Sequence, residues 1–212
     1  MTRPIPPDLL AKIEAHNRWL ATFRKEGQQF VERGADLHEL DLSGCDLSMA
    51  ALSGANLDGA VLHDTDLSDS TLCEGSFVKA RLDDAQLIKA DASKANFSEA
   101  SLCRVRGVSA ELLGADLYKA NLTESNFYDA DFQGANLEEA NFNHADLRGA
   151  YFAKARLVHA TLTGALLHDA RFVDATGIEQ VEVEWINIGE ENAPQRLEGE
   201  QARNWLLAAT VM

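Results

Sequence analysis

The chain has 212 residues, of which 46% are apolar and only 7% aromatic, so it can bury a core and is not a disordered tract. Its net charge of −15 argues against direct binding to nucleic acids, whose phosphates are contacted by Lys and Arg. Because no apolar run has membrane-spanning length and no signal peptide is evident, we expect a cytoplasmic protein without a membrane contact. Three cysteines without a C-x-x-C pair argue against a disulfide framework or a zinc site.

The first predicted element is a helix within residues 7–31. Pro6 and Pro7 suit a helix start. Apolar residues then recur at helical spacing with charged residues between them. These apolar residues are Leu9, Ile13, Leu20, Phe23 and Phe30. The pattern predicts an amphipathic helix with one face available for packing.

A five-residue period follows and dominates the chain. From Leu37 to Phe172, Leu or Phe occupies 26 of the 28 positions that end in 2 or 7, and Ala92 and Gly107 are the exceptions. Two residues before each of these positions, Ala occupies 21 of 28 places. The residue between the two is usually polar, often Asp or Asn. A period of five is neither that of a helix nor that of a flat strand, so each repeat must be a composite unit.

Each repeat is interpreted as one side of a coil. The small residue and the Leu or Phe are two positions apart, so in extended backbone both side chains point inward. The Asp or Asn between them is expected to point to solvent, and the last two residues are expected to form a turn. At the irregular repeat, Val105 is expected to refill the space that Gly107 leaves in the core.

The A-[DN]-[LF]-x-x pattern resembles the pentapeptide-repeat family over residues 35–174. The resemblance implies an all-β solenoid, a right-handed quadrilateral β-helix with four repeats per coil and therefore about seven coils. The segment His16-Asn17-Arg18-Trp19-Leu20, which leads into Arg33-Gly34-Ala35-Asp36-Leu37, is similar to the leader that precedes the repeats in many bacterial members.

The C-terminal segment is predicted to cover the other end of the rod. Val181, Val183 and Trp185 alternate with glutamates as in a strand, and residues 195–210 have a helical pattern. Both ends should be covered, because exposed coil edges invite aggregation. The predicted division is therefore an N-terminal helical cap at 1–34, the β-helix at 35–176, and a C-terminal cap with a candidate dimerisation helix at 177–212.

The sequence predicts a protein without enzyme activity, metal or cofactor. The six histidines fall on several faces and levels of such a rod, so no pair has the spacing of metal ligands. The numerous carboxylates belong to the repeat pattern itself. A convex rod also offers no cleft in which an acid and a base could be desolvated.

Outward positions that are not polar point to a candidate partner surface. Counted in steps of twenty, Ile88, Val108 and Tyr128 fall on one face of consecutive coils, with Arg106 and Arg148 nearby. Two interpretations stay open. The residues could form a surface for a partner or for self-association. Alternatively, they could be an incidental group of residues that suit strands anywhere.

The apolar C-terminal tail suggests a candidate dimer surface made of Trp205, Leu206, Leu207 and Val211. One helix can bury only one face against the last coil, and these side chains spread over more than one face. A second copy around a two-fold axis would cover the excess. In the alternative, the helix packs wholly on the final coil near Phe172 and Val181 and leaves a monomer.

Two functions are compatible with these features. The first is a protein-binding or scaffold solenoid that acts through a rigid acidic surface on an unidentified protein partner. The alternative rests on the resemblance, which implies that some family members mimic DNA and modulate type II topoisomerases, by gyrase inhibition or quinolone protection. The acidity is uneven, with a net charge of −9 in residues 35–84 and −3 in residues 85–174. Uneven acidity favours the first function, because a symmetric mimic would spread its charge.

Overall fold

The computed structural model describes residues 2–190 and 192–211. Helix α1 is followed by a long series of isolated parallel β-bridges. Short helical and strand elements come after these bridges, near the C-terminus. The elements in chain order are α1 at Pro7–Ala21, a 3₁₀ helix at Ile178–Gln180, strands β1 at Trp185–Asn187 and β2 at Arg196–Glu198, and α2 at Gly199–Ala209. The predicted helix over 7–31 is therefore shorter than expected. Phe23 is exposed beyond its end, and Phe30 is buried in the first coil.

The repeats stack in a register of twenty residues. Parallel bridges join positions twenty apart without interruption, from Val31 with Ala51 to Arg156 with Thr176. Each coil therefore contains four five-residue repeats. One side of a coil already forms at residues 30–34, before the first predicted repeat. The register becomes twenty-one at the last two parallel bridges, Thr161 with Glu182 and Leu166 with Asn187, so the last coil holds one additional residue.

The turns between sides share one conformation. In each turn the carbonyl of the central residue accepts the N–H three residues later, as from Cys45 to Leu42 at 3.1 Å. Every position ending in 4 or 9 from residue 34 to residue 174 has a φ between +54° and +78°. These are the features of a type II turn. Residues such as Lys89 and Glu139 adopt this glycine-favoured conformation, so the stacked coil imposes it rather than the local residue type.

The sequence predicted that the Asp and Asn side chains between the inward residues point to solvent. The structure differs from this prediction. These side chains are mostly half-buried and close a second small turn. Asp116, for example, accepts the N–H of Tyr118 at 3.1 Å and the side-chain amide of Asn136 on the next coil at 2.9 Å. Because Asp and Asn caps of this kind satisfy a main-chain donor, the repeat selects those two residue types.

At Ser76, a carboxylate from the preceding coil replaces this cap. Ser76 stands at an Asp or Asn position, and its hydroxyl donates to that carboxylate instead of accepting a main-chain N–H. Asp58, which lies on the preceding coil, accepts both the Ser76 hydroxyl at 2.5 Å and the N–H of Val78 at 2.9 Å. The main-chain N–H is therefore still bonded to a carboxylate, although donor and acceptor now lie twenty residues apart.

The core confirms the predicted inward positions. The central Leu and Phe side chains and the small side chains two residues before them are almost all buried. The space directly beside Gly107 is filled by the ring of Phe127 on the next coil; a contribution of Val105 stays a prediction. An added Cβ at Gly107 would lie 2.2 Å from the Cε1 atom of Phe127, and the two next-nearest atoms belong to the same ring.

Helices cover both ends of this core. Leu9 and Ile13 of α1 are buried in the same hydrophobic cluster as the first coils. At the other end, Phe132, Phe152 and Phe172 stack with ring centroids 5.0 and 4.8 Å apart, and Trp205 of α2 meets Phe172 edge-on. Strand β1 begins at Trp185, later than the predicted strand, and pairs with β2 in antiparallel fashion. Helix α2 is shorter than the predicted 195–210.

Candidate interaction surface

Ile88, Val108 and Tyr128 form one vertical column, here called the apolar stripe. The carbonyl of Val108 accepts the N–H of Lys89 at 3.0 Å, and the carbonyl of Tyr128 accepts the N–H of Ser109 at 2.9 Å. These ladder bonds hold the three residues at the same position of three consecutive coils. Ile88 and Val108 are half-buried and Tyr128 is 41% exposed, so the stripe presents apolar area to solvent.

The two predicted arginines differ in their surroundings. Arg148 lies on the coil that follows Tyr128. Its guanidinium lies over the Tyr128 ring at 5.7 Å and donates to both oxygens of Asp146 at 2.8 and 2.7 Å. It therefore acts as a fixed border to the stripe. Arg106 is exposed beside Val108, and its side chain has no ion pair within the described part of the chain. Lys89, which the sequence analysis did not single out, is likewise an exposed cation beside Ile88.

The face that carries the stripe becomes acidic toward the N-terminal end. Ser48 and Ser68 occupy the stripe's position in the first two coils, flanked by Asp46 and Asp66, which accept the N–H groups of those serines at 3.1 and 2.9 Å. The hydrogen bonds hold these carboxylates in place. Residues 35–74 as a whole contain nine acidic residues and neither Lys nor Arg. One face thus presents fixed carboxylates followed by an apolar column.

The C-terminal candidate surface is only partly available in the folded chain. Leu206 is 1% exposed because it packs on the last coil, and Trp205 is half-buried against Phe172. Leu207 and Val211 remain 45% and 86% exposed. Any contact with a second copy would therefore use Leu207, Val211 and the outer part of Trp205.

A groove that the sequence analysis missed lies beside α2. Its volume is about 510 Å³. The residues that line it include Tyr151, His168, Arg171, Val173, Ile188 and Trp205. The signal in the sequence was the non-polar outward pair Tyr151 and Val173 on the face next to the stripe. The groove depends on the placement of α2, which the repeat pattern does not give.

The thiols and histidines show no arrangement for catalysis in the described residues. Burial raises the pKa of the Cys45 and Cys103 thiols, which keeps both protonated and weakly nucleophilic at neutral pH. His63 lies between Asp64 and Asp84, and the guanidinium of Arg104 holds the pKa of the Asp84 carboxyl below its usual range. Residues 2–190 and 192–211 contain no cluster of His, Cys, Asp and Glu that could hold a metal ion.

No helix among the described residues is long and apolar enough to cross a membrane.

The twenty-residue register and the inward Leu and Phe columns define the class of this protein, a β-helical solenoid. The model of pentapeptide repeats matches eight copies, at residues 35–72, 80–106, 108–138, 130–169 and 145–176. The chain therefore belongs to the pentapeptide-repeat family, whose solved structures are right-handed β-helices.

The chain is similar to solved structures of other pentapeptide repeat proteins. HetL from the cyanobacterium Nostoc, involved in heterocyst differentiation regulation, is 21% identical, with 81% of this chain and 94% of HetL covered and a TM-score of 0.45. A protein from the Arabidopsis thaliana thylakoid lumen is 27% identical, with 58% and 78% covered and a TM-score of 0.47. QnrB1, a plasmid-mediated fluoroquinolone resistance protein, is 20% identical, with 73% and 90% covered and a TM-score of 0.33. A comparison with curated protein sequences finds no match.

Proposed function

We propose that this chain is a non-enzymatic, cytoplasmic protein-binding solenoid that holds a protein partner against the face carrying the apolar stripe. One observation carries the proposal, the continuity of fixed carboxylates and apolar side chains along that face. Asp46 and Asp66 lead directly into the column of Ile88, Val108 and Tyr128. The face fits a partner that presents basic groups beside apolar ones, because opposite charges guide the encounter and apolar burial retains the complex.

The non-enzymatic part of the proposal rests on the shape and chemistry of the rod. Its coils are filled by Leu, Phe and Ala side chains, so its faces are walls of a packed core. Burial raises the pKa of the Cys45 and Cys103 thiols and so keeps them protonated, and one oxygen of each of the Asp46 and Asp66 carboxylates accepts a main-chain N–H. We retain the division into caps at 1–34 and 177–212 and a β-helix at 35–176 as part of the same proposal.

The experiment uses serine substitutions in the stripe, because Ser48 and Ser68 already occupy the equivalent positions. The double variant Val108→Ser, Tyr128→Ser removes apolar area without changing charge. The matched control, Leu113→Ser, removes an exposed apolar side chain from the neighbouring face. Each protein is immobilised and used to capture partners from a bacterial lysate, and captured proteins are identified by mass spectrometry.

The proposal predicts a protein that wild type and the Leu113→Ser control both retain and that the stripe variant loses. Circular dichroism must show that all three are folded to the same extent. Retention of the same proteins by all three would remove the stripe from the binding surface. The stripe variant could instead bind normally while capture by wild type disappears in high salt. That result would assign binding to the acidic coils alone.

The alternative proposal is a DNA mimic that modulates a type II topoisomerase such as DNA gyrase. The observation in its favour is the cation-free stretch at residues 35–74 in a chain of net charge −15. A supercoiling assay tests it directly. Inhibition at micromolar protein or below, weakened by added salt, would support the mimic. Unchanged supercoiling together with no protection from a quinolone would remove it for the gyrase used.

A further inference from the structure

His16 of α1 is the single buried titratable side chain among residues 2–190 and 192–211, with 0% of its surface exposed. It lies at the contact between the helix and the first coils, and its ring stacks on Trp19 at 5.6 Å between centroids. A buried imidazole needs partners for both ring nitrogens, because an unpaired polar atom in a core is costly.

Both ring nitrogens of His16 have such partners, and together they fix its protonation state. The N–H of Phe30 donates to Nδ1 at 3.0 Å, so Nδ1 must offer a lone pair. Nε2 lies 2.9 Å from the carbonyl oxygen of Ser48, which can only accept, so Nε2 must carry the hydrogen. The observed geometry is therefore that of the neutral imidazole with its proton on Nε2.

This second bond stands in for a missing bond of the coil ladder. On the following coil, the carbonyl at the equivalent position, that of Ser68, accepts the N–H of Met49 from the coil before it at 2.8 Å. Ser48 lies on the first coil, where no main-chain N–H of the described residues donates to its carbonyl, and Nε2 of His16 takes that position. The helix is thus hydrogen-bonded to the open edge of the solenoid through one titratable ring.

A second proton on this ring would oppose the docked geometry. An Nδ1–H would face the N–H of Phe30, donor against donor, at a side chain with no solvent exposure. Burial lowers the pKa of His16, and it outweighs the hydrogen bond to the Ser48 carbonyl and the nearby Asp46 carboxylate, both of which favour the charged ring. The carboxylate of Glu32 is already paired with Lys12, and the Arg24 guanidinium over the Trp19 ring is a further positive charge, so none of these groups compensates a charged imidazole.

We propose that His16 is a pH-sensitive latch, which holds α1 on the first coil when the ring is neutral and releases the helix when the ring is protonated. The released helix binds the proton more tightly than the docked helix. Docking is therefore at full strength above the ordinary histidine pKa of about 6.5 and weakens as the pH falls below it. Between that value and the lowered pKa, the ratio of released to docked helix should rise about tenfold per pH unit.

Release would uncover a specific surface. Leu9 and Ile13 of the helix, and the core side chains that they cover, would become accessible. The unpaired carbonyl of Ser48 would also be exposed at an open coil edge, which can pair with another strand. The latch would thus make one end of the rod available only under acidic conditions.

Hydrogen exchange of the full chain, read by mass spectrometry, tests the latch at pH 7.5, 6.5, 5.5 and 5.0. The rates are corrected for the intrinsic pH dependence of exchange. In wild type, protection of the amides in residues 7–21 should fall as the pH drops below about 6.5, by at most about tenfold per pH unit, while amides in the central coils keep theirs. The variant His16→Gln offers a donor and an acceptor but cannot take a proton, so its helix protection should not depend on pH. His159→Asn, which changes an exposed histidine, should behave as wild type.

Two results would overturn the latch. One is a wild-type helix whose corrected protection is constant from pH 7.5 to 5.0. The other is an equal acid-induced loss in His16→Gln, which would assign the effect to other groups. If His16→Gln fails to fold, the ring resonances of wild-type His16 decide the question by NMR. A titration midpoint below that of His159, shared by the amides of α1, supports the latch, and an ordinary midpoint without a change in those amides rejects it.

Discussion

Gly107→Ala should destabilise the solenoid because the added methyl group has no space. Its carbon would lie 2.2 Å from Cε1 and 2.4 Å from Cδ1 of Phe127. The ring cannot easily turn aside, because it packs edge-on against Phe132 with 5.3 Å between centroids. Overpacking of this kind costs up to about 3 kcal/mol. The lower backbone freedom of alanine in the unfolded chain offsets about 0.5–1 kcal/mol, which leaves a net loss of about 2 kcal/mol.

The second half of this prediction is a compensation. Phe127→Leu alone should leave a cavity and cost about 1–2 kcal/mol. In the double variant the new methyl group occupies that cavity, so the total loss should be smaller than the sum by about 2 kcal/mol. Urea unfolding followed by circular dichroism measures all four proteins, with the slope checked for loss of cooperativity. Additive losses would show that Phe127 does not fill the space at Gly107.

Three further changes follow from the same contacts. Leu117→Asp should prevent folding or lower stability by more than about 4 kcal/mol, because the carboxylate would be buried without a partner. Asp116→Ala should cost about 1 kcal/mol, since it removes a turn cap and a hydrogen bond to the next coil. Equal losses of stability in the two variants would contradict the inward and outward assignment. Leu206→Glu should detach α2 from the last coil. Leu207→Glu should leave the fold intact and abolish any dimer. Light scattering after size exclusion reports the mass, and a single-chain mass for wild type at every concentration would refute the dimer.

The fold was predictable because the period places each residue type on one side of the wall. Leu117 and the small Ala115 before it are both buried, as their two-residue spacing requires. The turns were not predictable in the same way. Lys89 and Glu139 disfavour a positive φ as isolated residues, and they adopt it because stacked neighbours on both sides fix the backbone.

The surface was predictable only where one column carries the signal. The stripe of Ile88, Val108 and Tyr128 follows from counting in steps of twenty. The cap that Asp58 provides to Val78 could not be read from either repeat alone, because it depends on how two side chains meet across coils. The groove at α2 was missed for a related reason, since the helix is placed by tertiary contacts such as that of Trp205 with Phe172.

The irregular core and the apolar stripe lie on the same coils, and this coincidence limits how each can be tested. Val108 directly follows Gly107, and Tyr128 directly follows Phe127. The stripe residues therefore share backbone segments with the two core residues that the first prediction substitutes. A methyl group forced in at Gly107 must move either that backbone or the Phe127 ring, and both movements shift the stripe. Weaker partner binding by Gly107→Ala would therefore not make Gly107 a contact residue. Serine substitutions at Val108 and Tyr128 leave the core side chains in place and separate the two effects.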